Sequence, residues 1–148
     1  MAPNEIISKL PNSQPFLFVD AISAVDDLNI EGTFTFRKEL AFYDGHFKDK
    51  PVTPGVILTE CCAQIGLVCL GIYLMAQNQL EANQIAMSSS EMEFLKAVFP
   101  GETVKVASEK VYFRFGKLKC RVKMFDASET LVCLGTLSGM IVKNDDGE

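Results

Sequence analysis

A chain of 148 residues has the length of a single domain over 1–148, enough to hide about two-thirds of its unfolded surface in a core. With 19 acidic against 14 basic residues, a net charge of −5 and a pI near 4.9, it lacks the composition of a nucleic-acid binder that needs a broad basic face. Five cysteines with no Cys-x-x-Cys among them, beside a single histidine, exclude a Cys/His metal cage.

Met1 to Lys9 has neither the basic start nor the apolar stretch of a secretion signal, so the expected location is cytoplasmic. Asn4 to Leu10 reads as a short helix with Ile6, Ile7 and Leu10 inward, ended by Pro11. Phe16 to Val25 has the apolar and β-branched content of a strand, broken by Asp26-Asp27. A second strand is expected from Ile30 to Lys38, with Ile30, Gly32, Phe34 and Phe36 on one face and Glu31, Thr33, Thr35 and Arg37 on the other. That alternation belongs to a sheet with one wet face.

From Pro54 to about Met75 or Ala76 runs the longest apolar stretch, interrupted only by Thr59, Glu60 and Gln64. A membrane span needs roughly 20 apolar residues, and here the interruptions and the missing basic flanks argue instead for a buried helix. A helix apolar all round requires a sheet wrapped about it. Three of the cysteines, Cys61, Cys62 and Cys69, lie in this helix as small reduced hydrophobes. After a linker around Gln77 to Asn83 come strands at Ile85 to Lys96, Thr103 to Phe113, Leu118 to Met124 and Thr130 to Lys143, then a polar tail from Asn144. Two strands, one central helix and four more strands predict an α+β architecture with a curved antiparallel sheet around the helix.

Gly45 to Gln64 concentrates the chemistry. His46 is the one histidine, Glu60 follows fourteen residues later inside the apolar run, and Pro51 and Pro54 stiffen the loop between them. Pro54-Gly55 sits where a helix begins. Dehydration of a 3-hydroxyacyl thioester needs a base for the proton beside the carbonyl and an acid for the departing hydroxyl. Neutral histidine suits the first role, and a carboxyl in apolar surroundings suits the second. The free N–H groups of the helix N-terminus can hold the carbonyl as it gains charge, and Gly55 leaves room for its approach. Gln64, one turn beyond Glu60 on the same face, either orients the acid or satisfies a buried polar group.

Gly45-His46-Phe47, Pro51-Val52, Pro54-Gly55-Val56 and Glu60-Cys-Cys-Ala63-Gln64 together resemble the motif of FabZ-type 3-hydroxyacyl-acyl carrier protein dehydratases, members of the hotdog-fold superfamily. Leu10-Pro11 with Pro15 to Asp20, and Phe94 with Pro100-Gly101-Glu102, extend the resemblance over most of the chain. It implies a hotdog fold, and it implies a lyase forming trans-2-enoyl thioesters in fatty acid or related polyene or polyketide-like biosynthesis, without a metal or redox cofactor. Its partners are an acyl carrier protein and a second copy in a homodimer, extended in some relatives to a hexamer, with His46 of one subunit facing Glu60 of the other. Nucleic acid and membrane are not among them. In these terms His46 and Glu60 are catalytic, Gly55 polarises the thioester carbonyl, and Phe42, Tyr43, Phe47 and Phe94 wall an acyl tunnel. Lys48, Lys50, Lys96, Arg114 and Lys117 then offer basic docking points to an acidic carrier. Departures at Lys48-Asp49, Thr53 and Ser88-Ser89-Ser90 leave the acid and base alone and point to a substrate other than that of housekeeping fatty acid synthesis. Two other readings stand beside this one: a hotdog thioesterase, which would not need His46, and an idle acyl-binding subunit paired with an active homologue.

Overall fold

The computed structural model describes residues 1–47, 49–80 and 83–143, so Lys48, part of the linker and the polar tail lie outside the described residues. In chain order the elements are α1 (Pro3–Ser8), β1 (Ala21–Val25), β2 (Asn29–Thr35), a 3-10 turn (Ala41–Asp44), α2 (Gly55–Gln77), β3 (Gln84–Phe94), β4 (Thr103–Arg114), β5 (Lys117–Phe125) and β6 (Leu131–Val142). Among the described residues, six strands form one antiparallel sheet in the order β1-β2-β4-β5-β6-β3, wrapped about α2. This is the expected α+β architecture.

Alternation explains the wrapping. On β5, Leu118, Cys120, Val122 and Met124 are buried toward the helix while Arg121 and Lys123 face water. On β2, Ile30, Gly32, Phe34 and the following Phe36 are inward as the pattern requires. The rings of Phe18, Phe34 and Phe36 stack edge to face, with centroids 5.6 and 4.9 Å apart. The most apolar stretch of α2 is 72% buried, which answers the membrane question for this helix: the sheet, not lipid, covers it.

Three strand boundaries differ from the expectation by two residues or more, each for a side-chain or carbonyl reason, and α1 stops at Ser8 rather than Leu10. β1 begins at Ala21 rather than Phe16. The stretch before it has its backbone satisfied by the helix: Phe18 N–H donates to Gln64 Oε1 at 2.7 Å, and Gln64 Nε2 donates to the Phe16 carbonyl at 3.1 Å. β2 ends at Thr35, where the Asp20 carboxylate takes the Thr35 N–H and the Arg37 guanidinium, both at 2.7 Å. β3 ends at Phe94 because the N–H groups of Leu95 and Lys96 both converge on the Val132 carbonyl, at 2.8 and 3.2 Å.

One feature of α2 has no counterpart in the sequence reading. Residues Gln64–Cys69 are wound as a π-helix between two α-helical halves. Ser108 of β4, itself buried, donates its hydroxyl to the Gly66 carbonyl at 2.8 Å and so satisfies a group that the wider winding displaces.

Candidate active site

His46 follows the 3-10 turn and is held from two sides by one residue. Its Nδ1 lies 3.0 Å from the Val52 carbonyl oxygen, and Val52 N–H donates to the His46 carbonyl at 2.8 Å. A carbonyl only accepts, so Nδ1 carries the proton in this bond and Nε2 of the neutral ring keeps its lone pair. Phe47 stacks on the imidazole with centroids 4.4 Å apart. The loop continues to Thr53, whose N–H donates to the Val98 carbonyl at 2.9 Å and whose hydroxyl meets the Tyr43 hydroxyl at 2.5 Å.

Glu60 lies half-buried in the second turn of α2. Gln64 Nε2 donates to its Oε2 at 3.0 Å while the rest of the amide is engaged with Phe16 and Phe18. The Gln64 amide thus satisfies buried backbone groups and bonds the Glu60 carboxylate at the same time. At the start of the helix Pro54 is the cap, and Gly55 is the first helical residue. Its N–H, like every first-turn N–H, has no acceptor within the helix. A Cβ on Gly55 would meet the Phe94 ring at 3.3 to 3.5 Å, so Phe94 covers the helix N-terminus.

The four aromatic residues expected along an acyl tunnel divide into two groups. Phe47 and Phe94 are 62% and 48% exposed and present open apolar surface beside His46 and Gly55. Tyr43 is only 4% exposed and belongs to the core, packed against the half-buried Phe42 at 4.6 Å. Desolvation pushes its hydroxyl above the ordinary tyrosine range, and its role is to brace Thr53 rather than to line open space.

Nor, among the described residues, do the expected docking cations form one patch. Lys50 is exposed in the loop, but Lys96 is ion-paired with Asp126. Arg114 lies over the Tyr112 ring at 4.4 Å and pairs in register with Lys117 across a two-residue turn, Phe115-Gly116. Following the register from Lys117 to Met140 and Ala86 puts that turn at the far end of the sheet from Phe94, eight residues along β3 or about 26 Å. Thr53, Val98 and Asp126 are supports that the sequence did not reveal, because each acts through a partner at least 30 residues or one loop away.

With this geometry in hand, known proteins supply the lineage. A family model described as a FabA-like domain matches residues 10–131. A 3-hydroxyacyl-acyl-carrier-protein dehydratase FabZ of Ehrlichia canis (strain Jake) is 30% identical over 146 residues, 95% of this chain and 95% of that protein. The FabZ of Herpetosiphon aurantiacus is 32% identical over 141 residues, 93% of this chain and 96% of the relative. Among solved structures, the dehydratase heterocomplex ApeI:P from Xenorhabdus doucetiae aligns with a TM-score of 0.78 at 12% identity, across 100% of this chain and 95% of that one. That likeness speaks to fold, and the sequence matches speak to descent: the chain belongs to the FabA-like family, with the FabZ-type dehydratases as its relatives and their hotdog fold as its own.

Proposed function

We propose that the chain dehydrates 3-hydroxyacyl thioesters carried on an acyl carrier protein, giving trans-2-enoyl thioesters. The observation that carries this reading is the tautomer of His46: the Val52 carbonyl holds Nδ1–H and leaves Nε2 as a base. Nε2 takes the proton beside the thioester carbonyl, and the Gly55 N–H at the helix N-terminus stabilises the charge that moves onto the carbonyl oxygen. Glu60, with Oε2 occupied by Gln64, presents Oε1 to the hydroxyl and donates the proton that lets it leave as water. Transfer of the proton from the His46 imidazolium to the Glu60 carboxylate resets both groups.

The site is assembled in a homodimer. β3 is one end of the sheet order, eleven residues long, with neither Lys nor Pro and with Met87 and Phe94 exposed. An edge of that kind calls for a strand partner. Antiparallel pairing of two β3 strands continues the sheet into a second copy and brings His46 of one subunit opposite Glu60 of the partner subunit. It also carries Arg114 and Lys117 of one subunit toward the Phe94 end of the partner, where with Lys50 they meet an acidic carrier. A hexamer would be a trimer of such dimers. Five buried free cysteines agree with a reducing, cytoplasmic setting.

Purified protein is assayed with a 3-hydroxyacyl-carrier series, following enoyl absorbance and free thiol together, beside His46→Ala and Glu60→Gln. Both variants are expected to lose about 10²- to 10⁴-fold of enoyl formation. Thiol release without enoyl product, surviving in His46→Ala, would instead identify a thioesterase, and silence in both channels an idle subunit.

A further inference from the structure

We propose that the Lys96–Asp126 ion pair is a positioning device for the active site: it clamps the segment 94–98, which touches both the helix N-terminus and the loop behind His46. The inference rests on the dehydratase reading above. Asp126 is a fixed anchor, 7% exposed in the β5–β6 turn, with Oδ1 accepting the Ser128 and Thr130 N–H groups at 2.9 and 3.0 Å. Its other oxygen accepts from Lys96 Nζ.

Lys96 stands midway between the two contacts that matter. Two residues before it, the Phe94 ring lies over Gly55; two residues after it, the buried Val98 carbonyl takes the Thr53 N–H at 2.9 Å. Thr53 adjoins Val52, and Val52 sets the His46 tautomer. A short chain of defined contacts thus runs from the Asp126 carboxylate to the carbonyl-binding N–H and to the base. An ordinary exposed ion pair does little for a fold. This one has a carboxylate fully engaged by three donors, so it holds geometry, and a misplacement of about 1 Å at a reacting centre is enough to cost a large factor in rate.

The two roles separate on substrate. Lys96→Met, Asp126→Asn and Lys96→Arg are compared using a 3-hydroxyacyl thioester on its carrier protein and the same acyl group on N-acetylcysteamine. Positioning predicts a loss of about tenfold in kcat/KM on both substrates for Lys96→Met and Asp126→Asn, with recovery in Lys96→Arg. It also predicts faster amide exchange at Thr53 in the first two variants. A loss confined to the carrier-bound substrate assigns Lys96 to docking and overturns the proposal, as does unchanged kcat/KM on both. Wild-type protein inactive on either substrate would refute the dehydratase reading alone; Thr53 exchange then still decides the clamp, and exchange unaltered by Lys96→Met refutes it.

Discussion

At His46, Gln64 and Asp126 the chain uses backbone groups to set the state of a side chain. The Val52 carbonyl picks the histidine tautomer, the Phe16 and Phe18 backbone fixes the Gln64 amide, and the Ser128 and Thr130 N–H groups fix the Asp126 carboxylate. The Asp126 carboxyl is held below the ordinary range, first by the Lys96 hydrogen bond and then by the turn N–H groups, while Lys96 is raised by the same bond. A depressed native pKa gives stability that is complete above the unfolded value of about 3.9 and lost as pH falls through the lower folded value. The urea midpoint is therefore expected to drop, as pH falls below about 4, more steeply in the wild type than in Asp126→Asn. Parallel curves for the two proteins would show that the carboxylate charge is not what the clamp uses.

Among the elements, α2 carries the candidate site and is also closely packed against the sheet. A Cβ on Gly66 would lie 2.8 Å from Val122 Cγ1 and 2.9 Å from Ser108 Cβ, closer than real contacts allow, at the point where Ser108 caps the π-wound carbonyl. Gly66→Ala is expected to cost about 1–3 kcal/mol as overpacking, read as a lowered denaturant midpoint with unchanged slope. A neutral result would mean that helix and sheet separate there without strain. The same enclosure explains these thiols: desolvation pushes Cys69 to about 12 and Cys120 to about 11, and raises Cys61 as well.

The element boundaries divide by the range of the interaction that sets them. The faces of β2 and β5, though not the end of β2, were legible because period-two alternation is a local signal: Leu118, Cys120, Val122 and Met124 are spaced to fall on one face, and they do. The buried helix was legible because its apolar residues go all round it. The strand expected from Phe16 failed because Gln64, 46 residues away, takes the Phe18 N–H, and no local pattern announces such a bond. The pairing of Lys96, expected from the sequence to be a docking cation, was hidden for the same reason, since its partner is 30 residues distant.

For the molecule as a whole, the β3 edge decides whether one chain is enough. Met87→Lys with Ser89→Lys puts like charges along the paired edge of the proposed dimer. The double variant is expected to sediment at monomer mass with enoyl formation reduced at least about 100-fold, the scale of losing a general acid or base from the site. A monomer retaining turnover would place the whole site within one chain.

The fold class, the wrapped helix and the lineage are written in the order of residues, because alternation, all-round apolarity and the Gly45–Gln64 motif are properties of neighbours along the chain. The tautomer of His46, the grip of Gln64 on both acid and backbone, the core position of Tyr43 and the pairing of Lys96 came only with the folded arrangement. These depend on side-chain hydrogen bonds and on burial, which no periodicity of neighbours along the chain announces. Such bonds form only once burial has removed the water that would otherwise have competed for them.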